Sequence, residues 1–263
     1  MVRTTPRPSR SGSRSPKGLT AVLSAATFFV VWTLAAIAIE RNVLPPPWVV
    51  AASMVDEAVS GDLFFHLSAT LSRVIAAFVL AMSLGTAIGF LMGRYRAIDS
   101  VLDVWLIVLL NLPALVVIIL AYVWFGLTEA AAIGAVALNK LPNVIVTIRE
   151  GARAFDPELD QMARAFRLGW RKRLFDVLLP QLQPYVAAAS RSGLSLVWKI
   201  VLVVELLGRS NGVGFQLSMY FQLFDVATIL AYAISFIMVM LAIEILIVQP
   251  LELRANRWRV RTH

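Results

Sequence analysis

Ionisable side chains within the long apolar stretches of this 263-residue chain are informative, because a charge is costly there. Among them are Lys140, Arg191, Lys199, Glu205 and Glu244. A lysine such as Lys199 could attract an anionic solute, or it could neutralise a carboxylate such as Glu244 on another helix. Glu205 falls near the end of its apolar stretch and could contact a neighbouring loop or a partner protein. These residue types indicate the handling of a charged solute, and the structural alternatives stay open.

Covalent and metal chemistry have little support in the sequence. Ser195 and Lys199 lie four residues apart on one predicted helix face, a formal nucleophile and base pair, but nothing else in the chain supports catalysis. There is no cysteine, which excludes disulfides and thiolate chemistry. The two histidines, His66 and His263, are far apart in sequence. We therefore predict no catalytic residue and no metal site.

Composition places the chain in a membrane. Hydrophobic residues make up 59% and charged residues 15%, with a mean hydropathy of +0.77. A soluble domain carries about a quarter charged residues, so this excess of apolar surface requires lipid as its solvent. The net charge of +8 sits in short blocks between apolar runs and is not interleaved with aromatic residues. That pattern indicates contact with anionic lipid and argues against nucleic acid as a partner.

Six apolar runs are long enough to span a bilayer. They cover residues 19–39, 66–92, 101–125, 130–148, 185–207 and 226–248. Ala36-Ile37-Ala38 in the first run resembles a signal-peptide cleavage site, but the length of the run favours an uncleaved helix.

Two of these runs contain helix-breaking sequences. Asn111-Leu112-Pro113 interrupts the third run, and Lys140-Leu141-Pro142, preceded by Asn139, interrupts the fourth. Broken helices often line a transport pathway, although a packing kink is the simpler interpretation. The candidate pathway residues are Asn111, Pro113, Asn139, Lys199 and Glu205.

The basic residues predict the orientation of the chain. They cluster in the N-terminal tail and after the second, fourth and sixth runs: Arg3, Arg7, Arg10, Arg14, Lys17, Arg94, Arg96, Arg149, Arg153, Arg164, Arg167, Arg171, Lys172, Arg173, Arg254, Arg257, Arg259 and Arg261. By the positive-inside rule both termini are cytoplasmic. Residues 1–18 are predicted to be a disordered basic tail, and residues 250–263 a second basic cytoplasmic tail.

Two further elements are predicted from their spacing. Within the external loop 40–65, Pro45-Pro46-Pro47 forces an extended turn, and residues 48–59 read as a helix lying in the membrane interface with Trp48 as anchor. Gly85, Gly89 and Gly93 recur every four residues, so they line one helix face and allow close approach of another backbone.

The loop 149–184 is the most informative segment. Asp156-Pro157-Glu158 is a typical helix start, with Asp as N-cap. An apolar stripe follows at three- and four-residue spacing, formed by Leu159, Met162, Ala163 and Phe166. Gly169 offers a turn, and a second short helix over residues 171–179 is predicted to end at Pro180. This helix–turn–helix would lie on the cytoplasmic surface, against lipid or a protein partner.

The loop resembles the one in ABC-importer permeases that carries Glu-Ala-Ala, three residues, Gly, nine residues, an aliphatic residue, any residue and Leu-Pro. The matching positions are Ala163, Val177, Leu179 and Pro180, whereas Gln161, Met162 and Arg167 replace the Glu, one Ala and the Gly. Gly169 is expected to take over the turn. The resemblance spans about residues 44–258 and is greatest to permeases for nitrate, sulfonate, taurine and similar small solutes. Further matching residues are Leu44-Pro45, Arg73, the three glycines, Trp124-Phe125-Gly126, Asp156-Pro157, Pro184-Tyr185, residues 205–208 and Gly212-Val213-Gly214.

The resemblance implies an all-α integral membrane fold, a six-helix permease bundle of the type I ABC importer kind. Residues 19–39 would be the first transmembrane helix, and residues 66–249 a permease core of five more. It would carry a cytoplasmic coupling helix and an external interfacial helix. Residues implied in ATPase coupling are Asp156, Pro157, Leu159, Gln161, Met162, Ala163, Phe166, Arg167, Gly169 and Pro180, with Ala163 facing the ATPase groove.

The implied partners are a second permease, as a homodimer or heterodimer, two ATPase subunits on the cytoplasmic face and an extracytoplasmic solute-binding protein. The implied location is the bacterial inner membrane. No Gly-rich phosphate loop GxxxxGK[ST] occurs, so ATP and Mg would be bound by the partner ATPase and no cofactor by this chain. The alternatives are a secondary transporter, which usually shows inverted repeats and more midplane carboxylates, and an intramembrane enzyme built on Ser195 and Lys199.

Overall fold

The computed structural model describes residues 17–39 and 43–250, and every regular element in this part of the chain is helical. In chain order the helices are α1 (Lys17–Ala38), α2 (Pro47–Ser60), α3 (Asp62–Arg94), α4 (Arg96–Asn111), α5 (Ala114–Phe125), α6 (Glu129–Arg153), α7 (Pro157–Ala165), α8 (Trp170–Gly208), α9 (Val213–Gln222) and α10 (Val226–Val248). The predicted all-α membrane fold is confirmed. Residues 1–16 and 251–263 of the two predicted tails lie outside the described residues, and α1 begins at Lys17, inside the segment predicted to be disordered.

Four of the described helices, α3, α6, α8 and α10, are long and apolar enough to cross a membrane. The pair α4 and α5 makes a fifth span if it is counted as one broken helix. The first of the six predicted spans corresponds to the shorter apolar segment Val22–Ala38 of α1. This helix stands away from the bundle, with most of its side chains exposed, and its Trp32 indole donates a hydrogen bond to the Pro45 carbonyl, 3.2 Å away.

The two predicted interruptions behave differently. Between α4 and α5 the chain bends by 99°, so the predicted interruption at residues 111–113 is a full break between two helices. Pro113 lacks an N–H and pushes Leu112 into an extended conformation (φ −70°, ψ 125°), which ends α4. Pro142, in contrast, lies inside the continuous helix α6, and the predicted interruption at residues 140–142 is wrong. Packing of α6 between α3 and α8 holds the helix together in spite of the missing donor.

Helix α6 is the centre of the bundle, with α3 along one side and α8 along another. The three glycines of α3 lie against α6. A Cβ on Gly85 would come within 2.7 Å of the Val144 side chain, and one on Gly89 within 2.7 Å of the Ile145 carbonyl oxygen. A Cβ on Gly93 would come within 2.5 Å of the Cβ of Ala152. Because these glycines have no side chains, α3 and α6 can pack this closely.

Ion pairs tie α4 to α6 at the end of the bundle that we name the basic end, where α3 and α6 finish at Arg94 and Arg153. The Arg149 guanidinium lies 2.5 Å from Asp103 and 3.4 Å from Asp99. Arg153 lies 2.5 Å from the other oxygen of Asp99. Because α4 has few buried side chains of its own, these contacts position it.

Two π-helical turns interrupt otherwise regular helices, and each ends two residues before a proline. Arg173–Leu178 precedes Pro180 in α8, and Glu244–Val248 precedes Pro250 at the end of α10. A proline removes one N–H donor and its ring crowds the carbonyl four residues earlier, and a wider turn relieves both effects. The second short helix was predicted to end at Pro180, but the helix continues through it as α8.

Candidate functional site

Helix α7 is fixed at its N-terminus by the capping that its sequence predicts. The Asp156 carboxylate accepts a hydrogen bond of 2.8 Å from the Glu158 N–H, with Pro157 as the first helical residue. The Asp156 N–H donates to the side-chain oxygen of Gln181, also at 2.8 Å. Since Gln181 belongs to α8, the start of α7 is tied directly to that helix.

The turn that ends α7 is built on Arg167 and not on Gly169. Arg167 adopts the left-handed conformation (φ 49°), and the Leu168 N–H donates a 2.9 Å hydrogen bond to the Ala163 carbonyl. This is the bond of a Schellman motif, in which the left-handed position is usually glycine. Gly169 is extended, with φ −58° and ψ 153°, so the expectation that it takes over the turn is wrong. Position 167 thus keeps the geometry of a glycine although it holds an arginine.

The members of the apolar stripe of α7 differ in exposure. Ala163 is 0% exposed, and the neighbouring element is the first π-helical turn, whose Val177 is also buried. The expectation that Ala163 faces a partner is therefore wrong, because its side chain is already buried within the chain. The other three members of the stripe, Leu159, Met162 and Phe166, are 38%, 45% and 75% exposed. We name these three side chains the α7 stripe.

The rest of the implied coupling residues surround this stripe. Gln161, Arg167 and Gly169 are exposed on the same loop, and Pro180 is exposed near the start of the regular part of α8. Helix α8 is 39 residues long and runs from this loop to the opposite end of the bundle without a break. A displacement of α7 would therefore be carried by one helix across the full span.

An ionic cluster lies at that opposite end, with Arg73 and Glu205 buried and Glu129 half-exposed, and we name it the Arg73 cluster. All five N–H groups of the Arg73 guanidinium are used. Two donate to Glu129, at 2.8 and 2.6 Å, and one donates to Glu205 at 2.7 Å. The remaining two donate to the backbone carbonyl of Asn211, at 2.9 Å, and to its side-chain oxygen. One side chain of α3 thereby holds the start of α6, the end of α8 and the following loop.

Glu205 is fully buried, and its second oxygen accepts from the Thr70 hydroxyl and from the Gly214 N–H, both at 2.9 Å. It contacts a neighbouring loop, one of the two expected options, and it is not open to a passing solute. Gly212 has a φ of 108°, and a Cβ there would lie 2.4 Å from the Glu205 carboxyl. The loop can therefore close over the carboxylate only with a glycine at this position.

The sequence reading missed most of this cluster. Arg73 is one of the residues that carry the family resemblance, but its partners Glu129 and Asn211 give no local signal because they lie 56 and 138 residues away. Helix α9 was missed as well. Its Tyr220 hydroxyl donates a hydrogen bond to Glu57 of α2 at 2.8 Å. Burial of the Tyr220 side chain, and to a smaller extent this contact, raises the pKa of Tyr220 to about 12.

The other candidate pathway residues are dispersed. Lys199 is exposed on α8 and makes no ion pair among the described residues, so the predicted alternative of pairing with Glu244 is not observed. Asn111 and Pro113 are exposed at the α4–α5 bend. Asn139 is half-buried and donates to the Ala135 carbonyl at 2.9 Å. The structure does not bring these residues together within one chain.

The elements of an intramembrane enzyme are also not assembled. The Ser195 hydroxyl donates to the Ser192 carbonyl at 3.2 Å instead of to Lys199. Within the part of the chain that the structure describes, no group of three His, Cys, Asp or Glu side chains is placed to hold a metal ion. What the geometry does provide is a capped surface helix at one end, an ionic clamp at the other and a continuous helix between them.

A helical membrane bundle with this arrangement has the architecture of a transport permease. An amino acid ABC transporter of known structure superposes with a TM-score of 0.62 at 21% identity, covering 77% of this chain and 97% of the other. At this level of identity the likeness establishes the fold.

Residues 84–249 match the family described as binding-protein-dependent transport system inner membrane component, and the chain belongs to that family. The putative aliphatic sulfonates transport permease protein SsuC of Bacillus subtilis is 32% identical over 68% of this chain and 65% of its own length. The taurine transport system permease protein TauC of Escherichia coli is 26% identical over 77% of this chain and 78% of its own length. The chain thus spans just under two thirds of the Bacillus relative.

Proposed function

We propose that this chain is the transmembrane permease subunit of an ATP-driven importer and that α7 is the helix on which the ATPase docks. The observation that carries the proposal is the α7 stripe, three large apolar side chains exposed on a well-capped helix outside the spans. Exposed contiguous apolar side chains on a fixed element are typical of a docking surface. The family assignment supports an ATPase as the partner.

The connection of α7 to α8 supplies the coupling. Asp156 is bonded to Gln181, and Ala163 is buried between α7 and the π-helical turn, so α7 and the start of α8 move together. ATP binding would draw two ATPase subunits together and tilt α8 as a rigid body, and hydrolysis would release it. Alternating access then follows from two orientations of the same helices.

The solute is proposed from the relatives and from the charge of the chain. The named relatives are permeases for aliphatic sulfonates and for taurine, both of which carry a sulfonate group. We infer a small anionic solute of this kind, delivered to the Arg73 end of the bundle by a solute-binding protein. Two copies, or this chain with a second permease, would form the pathway between them.

The orientation is proposed from the basic end. This end carries the arginines that the positive-inside rule places in the cytoplasm, together with the α7 stripe. Both termini would then be cytoplasmic, in a bacterial inner membrane. Anionic lipid would contact the exposed basic residues at this end.

The docking proposal is tested by charging the α7 stripe. Phe166→Asp and Met162→Asp each place a carboxylate in a surface that must lose its water on docking, which costs several kcal/mol when no partner charge is present. We expect both variants to insert normally in the membrane but to lose the ATPase in a pull-down at equal expression. ATP-dependent uptake should fall in parallel.

Arg171→Ala is the matched control on the same loop. Arg171 is exposed and lies over the ring of Trp170, and an exposed rim charge contributes little to binding. It should retain the ATPase. Undiminished ATPase binding and uptake by both charged variants would refute the docking assignment. Ala163→Asp is unsuitable for this test, because it would disrupt the packing of the loop itself.

A further inference from the structure

Lys140 is a buried charge with no partner in the middle of the bundle. Its side chain is 1% exposed, and its Nζ makes no hydrogen bond to any described residue. Three other buried side-chain atoms of the described residues also make no hydrogen bond. They are the Nε atoms of Arg149 and Arg209 and the Oε1 of Gln216. Both arginines have other nitrogens in ion pairs, and glutamine is neutral. Of these four groups, Lys140 alone is a cation left entirely without a counter-charge.

The depth of Lys140 matches the middle of a membrane span. It lies eleven residues after the start of α6 at Glu129 and thirteen before its end at Arg153, which is about 16 Å and about 20 Å along the helix axis. An unpaired ammonium at this depth is costly. No acidic group of the described residues is hydrogen-bonded to it, and the buried carboxylate of Glu205 is already bonded to Arg73, Thr70 and Gly214.

The surroundings keep room for the lysine. Gly193 of α8 faces it, and a Cβ on Gly193 would come within 2.7 Å of the Lys140 Cε. The Lys140 Nζ and the ring edge of Phe78 each lie 3.4 Å from that same point. The ammonium, the phenyl ring and the bare backbone of Gly193 therefore meet at one place on the α3–α6–α8 contact.

Phe78 also borders a cavity. A space of about 580 Å³ between α3, α8 and α10 is lined by Phe78, Ser190 and Leu194, and the last two lie three residues before and one residue after Gly193. Its walls are mostly apolar, with Gln183 and Arg191 among the polar exceptions. One aromatic ring thus contacts both the cavity and the neighbourhood of the unpaired ammonium. A shift of this ring with the tilt of α8 would open the ammonium to the cavity.

We propose that the Lys140 ammonium is the mid-membrane recognition point for the anionic group of the transported solute, exposed when Phe78 and α8 move. This inference rests on the proposed transport function and adds the residue that binds the anionic group of the solute. An ammonium offers a compact positive charge and three donors, which suits a small oxyanion such as a sulfonate. The surrounding apolar walls strengthen the attraction because little water competes there.

The first test is thermal stability of the purified full-length chain. Lys140→Met and Lys140→Gln remove an uncompensated charge, so the melting temperature without solute should stay the same or rise. Ethanesulfonate, taurine or nitrate, compared with chloride at equal ionic strength, should raise the melting temperature of the wild type and of a Lys172→Met control that loses an exposed charge. The same anions should not stabilise either Lys140 variant.

The second test is uptake in proteoliposomes holding the complete transporter. Lys140→Met should retain the ATPase and its stimulation by the loaded binding protein but lose roughly tenfold or more in uptake of the same anions, as expected for one lost charge-assisted contact. Lys140→Arg should recover part of it. Uptake by the wild-type chain without the ATPase would contradict the proposed class of transporter. In that case the thermal-stability test alone would decide whether Lys140 binds the anion.

Three results would overturn the Lys140 assignment. One is equal stabilisation of wild type and Lys140→Met by the anions, and another is no stabilisation of the wild type beyond chloride. The third is loss of folded protein in both neutral variants, because that would show a structural role for the ammonium.

Discussion

At the residue scale, Arg73 is the clearest case of a side chain that no other residue type can replace in its hydrogen-bond network. Its five donors are distributed over a bidentate pair with Glu129, a buried bond to Glu205 and two bonds to Asn211. Lysine has three donors around a single point and cannot reach all of these acceptors. The network therefore depends on the planar fork of arginine.

We expect Arg73→Lys to destabilise the protein by about 1–3 kcal/mol, since lysine keeps the charge but leaves acceptors around buried Glu205 without a donor. Thermal unfolding in detergent measures the effect. The control is Arg96→Lys, at an exposed arginine, which should change the melting temperature little. If the two variants melt alike, the Arg73 cluster does not stabilise the fold.

Arg167 gives a second prediction at this scale. A non-glycine residue in the left-handed conformation costs about 1–2 kcal/mol, so Arg167→Gly should strengthen the turn after α7. The Leu168 amide, which donates to Ala163, should then exchange its hydrogen more slowly. Arg167→Ala removes the charge but keeps a Cβ and should leave the exchange rate near that of the wild type. Equal slowing in both variants would mean that charge, not conformation, controls this turn.

At the scale of the elements, sequence reasoning succeeds where the signal is local. The cap at Asp156, the helical state of α2 and the glycine spacing of α3 are all encoded within a few residues. It fails where packing decides. Pro142 looks like a break but lies in the centre of α6, held by α3 and α8, whereas Pro113 at an exposed position does break its helix. The Arg73 cluster joins four distant segments and could not be read from any one of them.

The contact of α3 with α6 makes a prediction of its own. Gly89→Ala would place a methyl group 2.7 Å from the Ile145 carbonyl, so a backbone must move, at a cost of about 1–3 kcal/mol. Gly134→Ala, on α6, meets no atom within 4 Å and should gain up to about 1 kcal/mol from helix propensity. Thermal unfolding of the two variants should shift in opposite directions. Equal tolerance at both sites would show that α3 and α6 are less closely packed than described.

At the scale of the whole molecule, the testable feature is orientation. The chain contains no cysteine, so single cysteines report their own location. Cysteines replacing Ser60, at the end of α2, and Ser218, in α9, should react with an impermeant thiol reagent applied outside cells. One replacing Asp176, exposed in the first π-helical turn, should react only after the membrane is permeabilised. Outside labelling at position 176 would reverse the proposed topology.

The two π-helical turns give the molecule an unequal stiffness from one end to the other. Both lie at the end of their helix nearer the basic residues, each just before a proline, and the opposite end is fastened by the Arg73 cluster. A widened turn can gain or lose a residue of winding without breaking a helix. Motion imposed at α7 thus enters α8 beside its wider turn, while the far end of the helix is held in place by the Arg73 cluster. We therefore expect the basic end of the bundle to adjust its helix winding more readily than the end held by the Arg73 cluster.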